Sequence, residues 1–368
     1  MLSYQVVEHG KPLQKVFTSA PKPKGTEVLV RITRSGVCHS DLHIWDGYFD
    51  LGGGKRFYVK ERGCIPPFTL GHEPFGVVEA LGGGAAKAAL GSKGGLKVGQ
   101  RRLVYPWIGC GKCAVCKAGK DNYCVSGTQY LGVNRAGAYS THVLIPHPRY
   151  LVDTAGVDDA FAATLACSGL TTYSAITKLP AIGPRDWVAV IGCGGLGLVA
   201  ISIMKAMGIK NVIACDVDES KLEAAKKLGA KLVLDTRGPD AAQRLAALAQ
   251  SNLVGAIDLV GMPTTFMTAY PALRKGGRYV LCGLFGGEVT LALPPIAQRA
   301  VSVTGSYVGD LAELKAVVAL AKKKKLKPMP VETRAASEVN RTLEELKAGK
   351  ILGRVVLDFE TVAENASA

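Results

Sequence analysis

Apolar and polar positions alternate at period two in residues 26–32, Thr-Glu-Val-Leu-Val-Arg-Ile, and again in 75–81 and 138–145. That rhythm predicts half-buried strands, and the first 150 residues read as mostly antiparallel β. Glycine, alanine and lysine dominate 82–99, which reads as a flexible surface connection. From about Asp158 the texture changes. A helical pattern over 159–179 leads to short apolar runs at 187–191, 212–216, 232–234, 256–260 and 277–282, separated by helix-length segments. Such alternation predicts parallel strands joined by crossover helices. Further on come a helix beginning after Asp310, another over 337–349, and a last strand at 354–359. Spacing does not say which sheet that strand joins.

Composition narrows the class. The chain has 368 residues, 48% hydrophobic and 20% charged, so two domains are the natural expectation. The uncharged run 187–204 reaches membrane-spanning length, but glycines break its middle and it divides better into strand, turn and helix. The N-terminus lacks a basic region followed by an apolar core, which predicts a cytoplasmic protein with no membrane partner. A net charge of +15 raises nucleic acid as a partner. The densest run, Lys322 to Lys325, instead closes a helix opened by an Asp310/Glu313 capping box, where lysines suit the helix dipole. No aromatic residues interleave with them for base stacking, so no nucleic-acid partner is expected.

Three groups of residues carry chemistry. Gly192-Cys193-Gly194-Gly195-Leu196-Gly197 fits G-x-G-x-x-G, after an apolar strand and before a helical pattern. Glycines there let a pyrophosphate approach the helix N-terminus. The next strand ends at Asp216, about 20 residues on, where a carboxylate accepts from ribose hydroxyls and repels a 2′-phosphate. NAD is therefore expected over NADP. Cys110, Cys113, Cys116 and Cys124 are close enough to surround one tetrahedral zinc with no open position, a structural site. Gly36 to Glu73 holds Cys38, His39, Ser40, Asp41, His43 and His72, the parts to hold a metal and move a proton. A catalytic zinc needs three protein ligands and an open position. With Cys38 and His72, Cys167 is the best third candidate, although a lone histidine is more often a satisfied surface or core group. Cys64, Cys193, Cys215 and Cys282 read as buried or incidental thiols.

With these motifs in hand, the chain resembles the zinc-dependent medium-chain alcohol dehydrogenase family over nearly its whole length. The resemblance rests on Gly36-Val37-Cys38-His39-Ser40-Asp41, Gly71-His72-Glu73, the four-cysteine loop, Cys167-Ser168-Gly169-Leu170-Thr171, the Gly192 turn and Gly353-Arg354-Val355-Val356. It implies an α/β fold: a GroES-like, mostly-β catalytic domain of residues 1–162 and 304–368, and a Rossmann NAD-binding domain, a doubly wound parallel sheet, of residues 163–303. It implies that Cys38, His72 and Cys167 bind the catalytic zinc. Ser40 corresponds to the hydroxyl that relays the alcohol proton and His43 to the histidine that passes it on. Asp41 corresponds to the carboxylate orienting His72, and Glu73 to the glutamate behind the metal. His39 and Arg354 look like pyrophosphate contacts, Thr171 like the residue against the nicotinamide, and Lys221 like the lysine near the adenosine ribose.

The cofactors expected are two zinc ions per chain and NAD, and the partners a small alcohol or aldehyde and further copies of the chain, as a tetramer or a dimer. The resemblance departs at residues 50–69, longer than in the simplest members, and at Gln100, where an aspartate is usual. Trp45, Tyr48 and Trp107 are candidates for the substrate pocket. Wording around Asp46 to Gly52 and Leu103 to Trp107 is similar to members acting on medium-chain or ω-hydroxy primary alcohols, and Lys55, Arg56, Lys60 and Arg62 could meet a substrate carboxylate or merely be solvated. Two rivals stand: a zinc- and NADPH-dependent aldehyde reductase or polyol dehydrogenase, and a zinc-ribbon nucleic-acid-binding protein.

Overall fold

The structure is a computed structural model that describes residues 1–89 and 95–365. The 82–99 connection carries a short helix, Ala85–Ala88, and its positions 90–94 lie outside the described residues.

Two sheets organise the chain. The first has seven strands and is mainly antiparallel. It runs Leu151–Val152, Arg101–Val104, Pro74–Leu81, Val28–Gly36, Arg354–Asp358 and Val331–Ala335, with His142–Ile145 also paired to Val28–Gly36. The central strand starts two residues later than expected and runs on to Gly36, and it is buried at every position except Arg31 and Arg34, so it is covered on both faces rather than half-buried. Residues 26 and 27 are in a turn instead: the Glu27 amide donates to the Lys24 carbonyl while its carboxylate caps the Lys24 amide at 2.9 Å. The extension delivers the chain straight to Cys38. Gln100, the unusual residue before Arg101, accepts from Arg102 Nη2 at 2.7 Å and from the Lys97 amide at 3.1 Å, so the turn keeps an acceptor.

The second sheet has six parallel strands in the order Leu232–Asp235, Val212–Asp216, Trp187–Ile191, Leu253–Asp258, Leu273–Leu281, Ser302–Gly305. Chain order reverses beside Trp187–Ile191, and a doubly wound sheet binds its ligand in the crevice at such a reversal. Trp187–Ile191 is buried throughout, as a parallel strand covered on both faces must be. The uncharged run after it divides into this strand and the helix Gly195–Ala206. No described helix is long and apolar enough to cross a membrane.

Two features were not readable from spacing. The last strand returns to the first sheet, parallel to Val331–Ala335 and antiparallel to Val28–Gly36, with Leu357 opposite Ser35. The helical stretch 159–179 is not continuous. It runs Asp159–Thr164, then one π-helical turn, Leu165–Gly169, then Leu170–Thr177. The helix after Asp310 has the expected capping box, with the Glu313 amide 2.8 Å from Asp310 Oδ1.

Candidate functional site

The first cluster lies where the two sheets meet. Cys38 is the N-cap of the helix His39–Asp46, at the positive end of its dipole, a setting that favours a thiolate. His72 comes from the turn before Pro74–Leu81, and Cys167 from the π-helical turn. A widened turn re-aims a side chain, and such turns gather at functional sites. The Cys38 and Cys167 sulfurs and a His72 ring nitrogen all lie within 4.8 Å of one another, and all three residues are buried. His72 Nδ1 is 3.0 Å from Asp41 Oδ1, which fixes the tautomer and leaves Nε2 buried without a hydrogen-bond partner. An orphaned, buried lone pair beside two thiols is the donor set a soft cation needs, so these residues fit zinc. The Cys38 thiol is held well below its ordinary value, first by its hydrogen bond to Cys167 and then by His72 and Arg354; the same bond holds Cys167 well above.

Around these groups the carboxylates are closely held. Asp41 caps the Cys38 amide through Oδ2 at 3.0 Å, and the same oxygen accepts from the Tyr139 hydroxyl at 2.8 Å. Tyr139 reaches Asp41 only because position 71 is glycine: a Cβ there would lie 2.5 Å from its ring. Nothing in the sequence singled out Tyr139, an aromatic between Ala138 and Ser140 in a strand-like stretch. Glu73 accepts from the Ser168 amide at 3.2 Å and pairs with Arg354 in a fully buried contact. Burial pushes the Glu73 carboxyl up to about 7 against the pull of Arg354. A Cβ on Gly36 would fall 1.8 Å from Glu73 Oε2, so that glycine makes room for the carboxylate.

A cleft of about 340 Å³ runs from this cluster to the parallel sheet, lined by His39, Ser40, His43, Gly192, Gly194, Gly195, Leu196, Gly197, Asp216 and Lys221. Asp216 is held rigidly: its carboxylate accepts from the amides of Cys193, Val217 and Asp218 at 2.6, 2.8 and 3.0 Å. Two expected cofactor contacts sit elsewhere. Arg354 does not line the cleft; its guanidinium is buried against Glu73 and the Val37 carbonyl, beneath Gly195. Thr171 lines the inner cavity, with its hydroxyl 3.9 Å from the Cys167 sulfur.

That inner cavity, about 100 Å³, opens on Cys38, Ser40, His72 and Cys167 and is walled by Phe49, Trp107 and other apolar groups. Ser40 borders both cavity and cleft. One turn along, His43 borders the cleft and an open outer hollow of about 610 Å³. Burial holds the His43 imidazole below its ordinary value, and its ring stacks on Phe49 with centroids 4.9 Å apart. Of the three aromatic pocket candidates, only Trp107 lines the cavity. Trp45 faces away, its indole N–H donating to the Lys11 carbonyl at 2.5 Å, and Tyr48 lines the outer hollow. Ile44 and Phe49 stand in the cavity wall instead. Helical phase explains the exchange: Ser40 and Ile44 are four apart and share a face, which Trp45 cannot. Two of the leftover thiols, Cys64 and Cys282, also line the cavity.

Cys110, Cys113, Cys116 and Cys124 form the second cluster, their sulfurs within 4.8 Å of one another. Cys110 and Cys116 are 3.9 Å apart, close to the roughly 3.8 Å edge of a tetrahedron with zinc–sulfur bonds of about 2.3 Å. Backbone amides of Cys110, Lys112, Cys113 and Cys116 point at the sulfurs at 3.3 to 3.5 Å, as donors to thiolates do. These residues fit a closed zinc site.

Comparison with known proteins agrees with this geometry. Residues 24–155 match the alcohol dehydrogenase GroES-like domain, and residues 195–323 the zinc-binding dehydrogenase domain. The NAD-dependent alcohol dehydrogenase of Sulfurisphaera tokodaii is 37% identical over 97% of this chain and 99% of its own length. Among solved structures, the alcohol dehydrogenase of the hyperthermophilic archaeon Aeropyrum pernix superposes with a TM-score of 0.85 at 31% identity, covering 97% of this chain and all of that one. The acetophenone reductase of Geotrichum candidum, solved with NAD, gives 0.83 at 31% identity, covering 97% of this chain and 96% of that one.

Proposed function

We infer the working of the site from one premise: this chain belongs to the zinc-dependent medium-chain alcohol dehydrogenase family. It is an NAD-dependent oxidoreductase that interconverts alcohols with aldehydes or ketones. Our proposal assigns Cys38, His72 and Cys167 to the catalytic zinc and the four-cysteine loop to the structural one. When bound, the catalytic zinc acts as a Lewis acid that acidifies the alcohol hydroxyl, and NAD accepts the hydride. The residues of the chain do the rest. Asp41 holds His72 in the tautomer that offers Nε2 to the metal, with Tyr139 fixing the carboxylate. Ser40 relays the alcohol proton, giving up its own hydroxyl proton as it accepts one, and His43, neutral at pH 7, takes up the released proton and passes it to the outer hollow. Asp216 accepts from the adenosine ribose, Lys221 stands beside it, and the amides after Gly194 receive the pyrophosphate with His39.

The observation that carries this reading is the orphaned His72 Nε2 between two buried thiols, opening on a cavity that Ser40 shares with the dinucleotide cleft. The narrow apolar cavity favours primary alcohols of medium chain length. We also propose the division of the chain at 1–162 with 304–368 and 163–303, a cytoplasmic location, and a homo-oligomer, most simply a tetramer. Support for the oligomer is the exposed apolar group Val303 on the edge strand Ser302–Gly305, with Leu293 exposed on the helix that precedes it. The test is a panel of primary, secondary and aromatic alcohols with NAD and with NADP, followed by nicotinamide absorbance. Reduction of NAD by primary alcohols is expected; reduction of NADP alone would overturn the cofactor assignment.

A further inference from the structure

The inner cavity does not end at its apolar walls. Arg62, Val133 and Tyr307 line it and also line a second hollow of about 350 Å³, whose remaining walls are Thr128, Tyr130 and Asn134. The two spaces therefore share a doorway. A molecule with its hydroxyl at the Cys38, His72 and Cys167 cluster passes a stretch of apolar wall before it meets the first charge, Arg62.

Arg62 is spent on nothing else. Among the described residues it has no ion pair and no side-chain hydrogen-bond partner, whereas Arg34, Arg278 and Arg354 are each engaged. Its guanidinium instead stacks over Phe57 at 4.9 Å and Phe49 at 5.7 Å from the ring centroids. Stacking on two rings restrains a planar guanidinium at modest energy and leaves its in-plane donors free. Phe49 belongs to the strand Tyr48–Gly52 and Phe57 to the strand Lys55–Tyr58, and the two residues are directly opposite in that hairpin pair. The carrier of the arginine is the 3-10 turn Val59–Arg62, closed by Gly63 in the left-handed region at φ 84°. The long 50–69 insertion thus has a structural result: it sets one restrained cation at the mouth of the substrate cavity.

Resting on the alcohol dehydrogenase reading above, we propose that Arg62 is a specificity-determining residue and that the substrate is an alcohol, or the matching aldehyde, carrying a carboxylate at the far end of an apolar spacer. The hydroxyl end sits at the metal-ligand cluster, the spacer fills the apolar cavity, and the carboxylate meets the guanidinium fork at the doorway. Bidentate carboxylate recognition is what a free, planar guanidinium does best. Lys55, Arg56 and Lys60 are exposed on the same hairpin and turn, and they raise the local concentration of an anion without touching the cavity.

A matched pair of substrates isolates the carboxylate. With the zinc-loaded enzyme and NAD, kcat/KM is measured for 1-hexanol and for 6-hydroxyhexanoate, in the wild type and in R62M, R62K and R62E. The readout is the ratio of the hydroxy acid to the alkanol, which cancels any general loss of folding or metal. The wild-type ratio exceeds one and falls with added salt; R62M lowers it tenfold or more, chiefly through KM; R62K recovers part of it; and R62E drives it lowest. A ratio unchanged within twofold in R62M and R62E, or a wild-type preference for hexanol, overturns the assignment while leaving the dehydrogenase reading intact. Absence of NADH from both substrates in the wild type would instead strike the dehydrogenase reading itself.

Discussion

At the scale of single residues, the site depends on which atoms are left without partners. Asp41 is saturated by three contacts, and the effect is to leave one nitrogen, His72 Nε2, with none. Ser40 matters for position more than for chemistry: its hydroxyl is the polar side-chain group that borders both the cavity and the dinucleotide cleft on this helix face. Ser40→Ala should therefore lower turnover by roughly 10²-fold or more, the usual worth of a positioned proton acceptor. It should also alter the pH dependence of kcat while both zincs stay bound. Unchanged turnover and pH profile in steady-state assays would remove Ser40 from the relay. The four cysteines of the loop and Asp216 are legible because spacing ties them to neighbours on one short segment, whereas Cys38, His72 and Cys167 lie far apart and only the family resemblance joins them. Tyr139 and Arg62 were harder, since what makes each important is a long-range approach: Tyr139 across Gly71, and Arg62 across a hairpin. Trp45 failed as a pocket candidate for a related reason, because one residue of helical phase turns it towards Lys11.

Elements were more readable than their ends. Period-two alternation located the strands of the first sheet, and apolar runs located those of the second, because burial on one or both faces leaves its mark on every residue. What the pattern could not show was the π-helical turn Leu165–Gly169. All five of its residues are buried, so no polar face betrays the extra residue in the turn. That turn has a consequence. A π turn holds about one residue more than an α turn, so deleting one residue, Ala166, closes the widened turn to α geometry and re-aims the Cys167 side chain that the extra residue positions. Cys167 then leaves the cluster or drags Leu170–Thr177 out of register. The deletion is expected to cost the catalytic zinc and keep the four-cysteine zinc, a loss that metal analysis reads directly. Retention of both ions at wild-type affinity would mean the π turn is incidental to metal binding.

For the molecule as a whole, the two sheets meet at the metal cluster, and the chain crosses between them more than once. Alternation of strand and helix predicted the parallel sheet, but not that Arg354–Asp358 would close the other sheet beside Val28–Gly36, a pairing of residues more than 300 apart. Only the packed fold brings such partners together. Burial of ionisable groups also has a global effect on stability. His43, His142 and His147 all have imidazoles held below their ordinary value, burial being the first cause in each. Between those lowered values and about 6.5 the unfolded chain binds more protons than the folded one, so stability rises with pH there and is lost as pH falls below about 6.5. Protonation of the zinc-binding thiolates acts in the same direction. The raised Glu73 carboxyl acts the other way between about 4.5 and 7, one group against three histidines and the thiolates, so denaturant midpoints should fall from roughly pH 7 to pH 5. Midpoints that rise over that range would contradict the assignment of these half-buried histidines as neutral.

The central claim is that a zinc held by Cys38, His72 and Cys167, and not the cysteine loop, is where alcohol is oxidised. Cys167→Ala tests it most directly, with zinc content and alcohol-dependent NADH formation measured on the same preparation. The account predicts that the variant keeps the zinc of Cys110, Cys113, Cys116 and Cys124, loses the other, and forms no NADH. A variant that still holds both ions and turns over primary alcohols at the wild-type rate would contradict it.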